Sequence, residues 1–383
     1  MALTETLERL AAFEPAPYPV VSLYLNTQPG PQGRDQHQAF VRKEFKARSR
    51  TFAAGSPDRE SLDRDLERIA AYLETELEPS ANGVAIFACS AGELFETVQT
   101  PVAIDQHWLY IGDQPHLYPL ARLESRYPRY AAVLTDTNSA RILVCALGEV
   151  VAERDVKGVK VRQTSQGGWS QARYQRHVAN FHAHHAKEVV DTLDRVVQSE
   201  GITQILLSGN ESITPLLREQ MPKHLAEKVV ENLHLESHAT TADVLQASLD
   251  AMQRLNEEND REKVAAAIGA YRAGGLGVVG PEDTLDALIK GQVEELLIAG
   301  TLQEMQPVQA GTANSSATAT ALAEPAVTPV AAGEAAEAQP EVVRLADELV
   351  TKAKQTSARI TFIEDTTLLA DYGGAAALLR FRA

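Results

Sequence analysis

The residues Gly167-Gly168-Trp169-Ser170-Gln171 stand at the centre of a 32-residue stretch, Val156 to Lys187, that contains no Asp or Glu. Adjacent glycines allow backbone conformations and close approaches that no other residue permits, which suits a loop tip inserted into a crowded pocket. Six cations flank that tip: Lys157, Lys160, Arg162, Arg173, Arg176 and Lys187. The chain carries a formal charge of −16, so the remainder sits near −22 while this segment is at +6. Charge segregated in this way is the footprint of a surface that meets a polyanion. A second, smaller basic patch lies on a helix expected over 35–52, whose exposed residues should include Arg42, Lys43, Lys46, Arg48 and Arg50.

Other chemistry finds little support. His177, His182, His184 and His185 invite a metal, but they spread around one helix, with no cysteine and no carboxylate before Glu188 to complete a tetrahedral set. Gly275-Leu276-Gly277-Val278-Val279-Gly280 matches a dinucleotide fingerprint, yet a helix rather than a strand precedes it, and Pro281 explains it as a glycine turn opening a helix. The chain has no Walker loop, no Gly-X-Ser-X-Gly elbow and no Cys-X-X-Cys pair. No cofactor and no metal is expected. Cys89 and Cys145 lie in apolar, strand-like runs, as small hydrophobes in a reducing compartment. The first fourteen residues lack a signal-peptide core, and no run approaches the roughly 20 apolar residues of a membrane span, so a cytoplasmic location follows as an expectation.

The elements that must position the tip follow from periodicity. Strands are expected at 20–26, 83–89 and 94–102, with a helix at 61–77. A hairpin of 131–135 and 140–146 turns at Asp136-Thr137-Asn138-Ser139, and a third strand covers 150–153. The acid-free loop then opens a long helix with an apolar stripe of Val178, Phe181, His185, Val189, Leu193 and Val196. A strand at 202–208, a helix at 212–221, a strand at 228–235 and a helix at 241–259 complete an α/β middle domain. From Asp260 the pattern restarts: helix to Arg272, helix 281–290, strand 295–299, helix 341–354, and strands 358–363 and 378–381. The Ala-, Thr-, Glu-, Gly- and Pro-rich stretch 303–339 lacks the apolar residues to fold and reads as a mobile insertion. Three domains are expected, 1–126, 127–259 and 260–383.

Three α/β domains in this order, with a basic Gly-Gly loop opening the long helix of the second, resemble the archaeo-eukaryotic class-I release factor and Pelota superfamily, in its bacterial branch. The resemblance rests on Val21-Ser22-Leu23-Tyr24-Leu25, on Gly167 to His177, on Gly277 to Ala299, and on Tyr372-Gly373-Gly374-Ala375-Ala376-Ala377-Leu378-Leu379-Arg380. It implies a middle domain of ribonuclease-H-like topology and a third domain like the kink-turn-binding ribosomal proteins. It also implies a factor that occupies the ribosomal A site and reaches the tRNA acceptor end.

In the release factors of that superfamily a Gly-Gly-Gln tip promotes water attack on the ester joining peptide to tRNA. Here Trp169 and Ser170 separate Gly168 from Gln171. The resemblance therefore assigns catalytic positions to Gly167, Gly168 and Gln171, with Gln171 orienting water and a tip amide facing the developing oxyanion. Lys157, Lys160, Arg162, Arg173, Arg176 and Lys187, with Arg42, Lys43 and Lys46, would bind RNA, and Trp169 could stack on a base for about 1–3 kcal/mol. The alternative is a hibernation or protection factor that fills the same site without hydrolysis, using Trp169 as a plug. A further alternative is an RNA-binding protein unrelated to ribosomes. The stop-codon reading motif Asn-Ile-Lys-Ser is absent from 1–126, so codon-specific termination is not implied. A translational GTPase such as elongation factor Tu is the implied partner of the third domain.

Overall fold

The computed structural model describes residues 3–15, 17–29, 36–157, 170–236, 238–302, 305, 330–331 and 340–382. These divide into two compact units, one of 1–126 with 257–383 and one of 127–256.

The first segment opens with α1 (Leu3–Ala11), which buries Leu7 and Leu10 on one side. β1 (Val20–Asn26) is buried on both faces, and only Asn26 escapes burial, as a central strand requires. α2 (Gln36–Ser49) and α3 (Pro57–Thr75) follow. Ser56 caps α3, its Oγ accepting the Arg59 N–H at 3.3 Å, and Pro57 occupies the first turn, where its missing N–H costs nothing. Then come β2 (Gly83–Cys89), β3 (Leu94–Thr100), β4 (Trp108–Gly112) and α4 (Tyr118–Arg126). Alternation divides the sheet's faces. Val21, Leu23 and Leu25 turn to Phe40, Leu62, Leu66 and Ile69 of α2 and α3. Tyr24, Phe87, Trp108 and Tyr110 turn to the opposite layer. Periodicity misses α1, β4 and α4, because these short elements have apolar faces that gain meaning only against a helix from the far end of the chain.

In the middle unit β5 (Tyr130–Thr135) and β6 (Ser139–Ala146) form the expected hairpin. Asp136 Oδ1 accepts the Asn138 and Ser139 N–H groups at 2.7 and 2.8 Å. β7 (Glu149–Lys157) is longer than the four residues expected. α5 (Ser170–Ser199), β8 (Gln204–Gly209), α6 (Thr214–Gln220), α7 (Lys223–Ala226), β9 (Val229–Leu233) and α8 (Thr241–Arg272) complete the order. The sheet runs β7-β6-β5-β8-β9, and β6 alone is antiparallel to the other four. That order, 3-2-1-4-5 in sequence rank, is the ribonuclease-H-like topology. Val189, Leu193 and Val197 of α5 bury against one face, with Leu217 of α6. Val244, Ala251 and Met252 of α8 cover the other.

α8 corrects the sequence expectation, since it continues through 259–260 where two helices were expected. The charged run Glu257 to Lys263 lies inside this one helix, and Asp260 is buried within it. The last segment adds β10 (Gly277–Val279), α9 (Pro281–Ile289), β11 (Val293–Ala299), β12 (Val330–Ala331), α10 (Pro340–Gln355), β13 (Arg359–Ile363) and β14 (Ala375–Leu379). Its sheet runs β10-β14-β11-β13, with β11 and β13 parallel. Two further corrections arise here. Gly277 to Val279 form an edge strand rather than a turn, and the last strand is Ala375–Leu379 rather than 378–381. The insertion 303–339 lies outside the described residues except for Met305 and for β12, which pairs with β4 in the first sheet. One core is shared by Leu7, Leu10, Trp108 and Tyr118 of the first segment and Val343, Ala346 and Val350 of α10.

Candidate nucleic-acid interface

β7 and α5 deliver the acid-free segment. The edge strand β7 ends at Lys157, paired with Ser139, and the chain re-enters the described structure at Ser170, where α5 begins. Lys160, Arg162, Gly167, Gly168 and Trp169 fall outside the described residues. Gln171, Arg173 and Arg176 fall in the first two turns of α5, whose backbone is described. Gln171 therefore sits in the turn whose N–H groups lack intrahelical acceptors and where the helix dipole is positive. No acidic residue occupies that turn.

Full burial along α5 begins, among the described side chains, at His185. His185, Ala186, Val189, Val190 and Leu193 are buried, whereas none of the side chains from Val178 to His184 is. At 1.5 Å per residue the helix runs about 22 Å from His185 to Ser170. Sequence reasoning extends the apolar stripe to Val178 and Phe181, but both are only half-buried. From Val178 to His184 the helix is thus half-buried to exposed, and Arg173 and Arg176 lie beyond it towards the N-terminus.

Lys157 and Lys187 are exposed, as a phosphate contact needs. His184 lies 3.5 Å from Glu188 in a solvated i,i+4 pair. His185 faces the core, and neither ring nitrogen finds a hydrogen-bond partner among the described residues. Among the described residues no three His, Cys, Asp or Glu side chains gather as a metal site.

The second basic patch is on α2. Arg42, Lys43 and Lys46 are exposed, with Lys43 3.4 Å from Glu44. Arg48 departs from the expectation: it is 8% exposed, and burial pushes its guanidinium below the ordinary arginine value despite the nearby Glu44. It shares a stripe with Val41 and Glu44, which face inward, so the patch keeps Arg42, Lys43, Lys46 and the exposed Arg50.

Sequence patterns give no sign of a cavity of about 310 Å³ at the C-terminal ends of β8 and β9, where Gly209, Thr214, Asn232, His234 and Glu236 line the wall. Only the parallel pairing of these strands brings the residues together.

Residues 115–253 match the profile of the bacterial archaeo-eukaryotic release factor family 10. Residues 257–383 match eRF1 domain 3. No curated protein matches. Among solved structures, the chain is similar to the archaeal translation termination factor aRF1, at 16% identity and a TM-score of 0.26 over 99% of this chain and 97% of that one. It is similar to Archaeoglobus fulgidus Pelota at 14% identity and a TM-score of 0.32, over 80% and 82%. S. cerevisiae Dom34, a translation termination-like factor that interacts with Hbs1, is similar at 9% identity and a TM-score of 0.39, over 83% and 78%. At such identities and scores only the two family matches carry weight.

Proposed function

We propose, for a chain that is like the bacterial archaeo-eukaryotic release factors through its middle and C-terminal segments, that it is a ribosome-associated translation factor of the cytoplasm. Its 156–187 segment enters the A site and reaches towards the tRNA acceptor end. The carrying observation is the acid-free, cationic segment that leads into the first turns of the long helix α5. A segment carried at the start of a long helix can enter a crowded RNA cavity without unfolding its own domain. Arg162, Arg173 and Arg176 would neutralise rRNA phosphates, with Lys157, Lys160 and Lys187 along the approach. Arg42, Lys43 and Lys46 supply a second RNA contact.

In this reading the factor hydrolyses peptidyl-tRNA on stalled ribosomes. Gly167 and Gly168 shape the tip and Gln171 orients water against the ester carbonyl. A backbone N–H of the tip donates to the oxyanion, and the peptide leaves as the acid while the 3′-oxygen takes a proton. The second reading, a hibernation or protection factor, is favoured by Trp169, a bulky indole placed between the glycines and the glutamine.

Release of labelled peptide from stalled bacterial ribosomes, with pelleting of the same samples, separates the two. Release that Gln171→Ala abolishes while occupancy persists supports hydrolysis. Occupancy without release supports the plug. Absence of both refutes the ribosomal assignment, and preferential binding to free RNA would replace it with a general RNA-binding role. A translational GTPase such as elongation factor Tu is the proposed partner of 257–383, and pull-downs that recover neither its GDP nor its GTP form would remove it.

A further inference from the structure

The buried polar cluster joining 1–126 to 257–383 has no part in the ribosomal reading. His116 is fully buried. Its Nδ1 lies 2.5 Å from Asp347 Oδ2 on α10, so the ring donates Nδ1–H to the carboxylate across 231 residues of chain. The other oxygen, Asp347 Oδ1, accepts the N–H groups of Leu117 and Tyr118 at 2.9 and 3.0 Å. These are opening donors of α4, which a cap must satisfy. Here the cap comes from the opposite end of the sequence.

The cluster is tightly fixed. Trp108 and Tyr110 lie at 27° and 32° to the imidazole plane, with ring centroids at 5.4 and 4.9 Å, and Tyr24 meets it edge-on at 6.0 Å. Ser22 Oγ accepts the His116 backbone N–H at 2.9 Å, and the Tyr24 hydroxyl donates to the His116 carbonyl at 2.5 Å. Removing Asp347 would strand three buried donors at once.

Each sheet also has a core that owes nothing to the other segment. Val21, Leu23, Leu62, Leu66 and Ile69 pack entirely within 1–126. Val264, Ala267, Leu297, Ile363 and Ala376 pack entirely within 257–383. We propose that Asp347 is a latch: its three hydrogen bonds hold α10 on α4, and their loss opens the shared layer while both sheets stay folded. Partial opening of this kind needs a contact that is strong, local and separable from the rest of each fold.

Trp108 is a built-in reporter, since the chain has two tryptophans and Trp169→Phe leaves it alone. In that full-length background, Asp347→Ala and His116→Gln should raise acrylamide quenching of Trp108. Hydrogen exchange at Leu117 and Tyr118 should quicken about 10- to 100-fold, the scale of a lost charge-assisted bond, while amides of β1 and β14 keep their protection. If β1 and β14 lose protection in step with Leu117, the latch is only part of one cooperative core and the proposal fails. Unchanged quenching and exchange would also overturn it. Should Asp347→Ala fail to fold, native-state exchange of the unmutated chain in low urea decides. The proposal requires Leu117, Tyr118 and α10 to exchange through an opening smaller than that which exposes β1, and a single common opening refutes it.

Discussion

Replacing Ala179 by proline tests whether the N-terminal half of α5 stands apart from the core. Proline removes the residue-179 N–H donor and drives its ring into the carbonyl of Gln175, at a cost of about 3 kcal/mol in a helix that cannot yield. This helix can yield. Ala179 is exposed, none of the side chains from Val178 to His184 is buried, and a stretch of nine residues, 170–178, is shorter than the ~12–15 at which isolated helices become even marginal. Its intrinsic free energy is therefore near zero, so fraying evades most of the penalty, and global stability should fall by less than about 1 kcal/mol. Ala186→Pro is the control. Ala186 is fully buried among Val189, Val190 and Leu193, so the full ~3 kcal/mol or more is unavoidable there. Urea unfolding of both variants gives the stabilities, hydrogen exchange over 170–178 reports the fraying, and ribosome pelleting reports the function. Ala179→Pro should unfold near the parent midpoint yet bind ribosomes poorly, because about 13 Å of rod has lost its direction. An unfolding midpoint lowered as far as that of Ala186→Pro would instead show that 170–178 is held by the core.

Other expectations follow from the same geometry. Arg173→Glu with Arg176→Glu should weaken ribosome binding and, if each contacts one phosphate of single-stranded RNA, reduce the slope of log affinity against log salt by about 1.4. An unchanged slope would show that neither residue touches phosphate. Lys43→Glu with Lys46→Glu should weaken pelleting without changing the urea midpoint, since both side chains are exposed; unaltered pelleting would remove α2 from the interface. Burial pushes the Asp260 carboxyl up to about 6, with Lys263 opposing. The protonated form is favoured by folding, so this contribution is full below the ordinary value of 3.8 and is lost as pH rises through about 6. Asp260→Asn should therefore flatten stability between pH 4 and 6 and stabilise at pH 7.5 by at most about 3 kcal/mol, from roughly two pKa units. A variant as pH-dependent as the parent would contradict that assignment.

Legibility from sequence followed the locality of the signal. Ala131 to Thr135, Ala140 to Ala146 and the turn between them announce themselves through apolar runs and Asp136-Asn138-Ser139 chemistry, and the hairpin forms there. Ala375 to Ala377 are small and give strand signals too weak to mark the start of β14, so its phase is misread. Charge misleads twice. The run around Asp260 imitates a helix boundary inside a continuous α8, and Arg48 imitates a surface cation although its stripe turns inward. Charge segregation over 156–187 is readable residue by residue. The start of full burial at His185 is not, because only the packed structure shows which residues of α5 the sheet covers completely.

The core shared by α1, α4, β4 and α10 also sets a timetable for synthesis. Asp347 is made 231 residues after His116, which at about 5–20 residues per second is a delay of roughly 10–50 s. Throughout that interval Leu7, Trp108 and Tyr118 lack the helix that covers them, while the middle unit can fold from contiguous sequence. The nascent first segment must wait with one apolar face uncovered, and that face is where premature association between growing chains would begin.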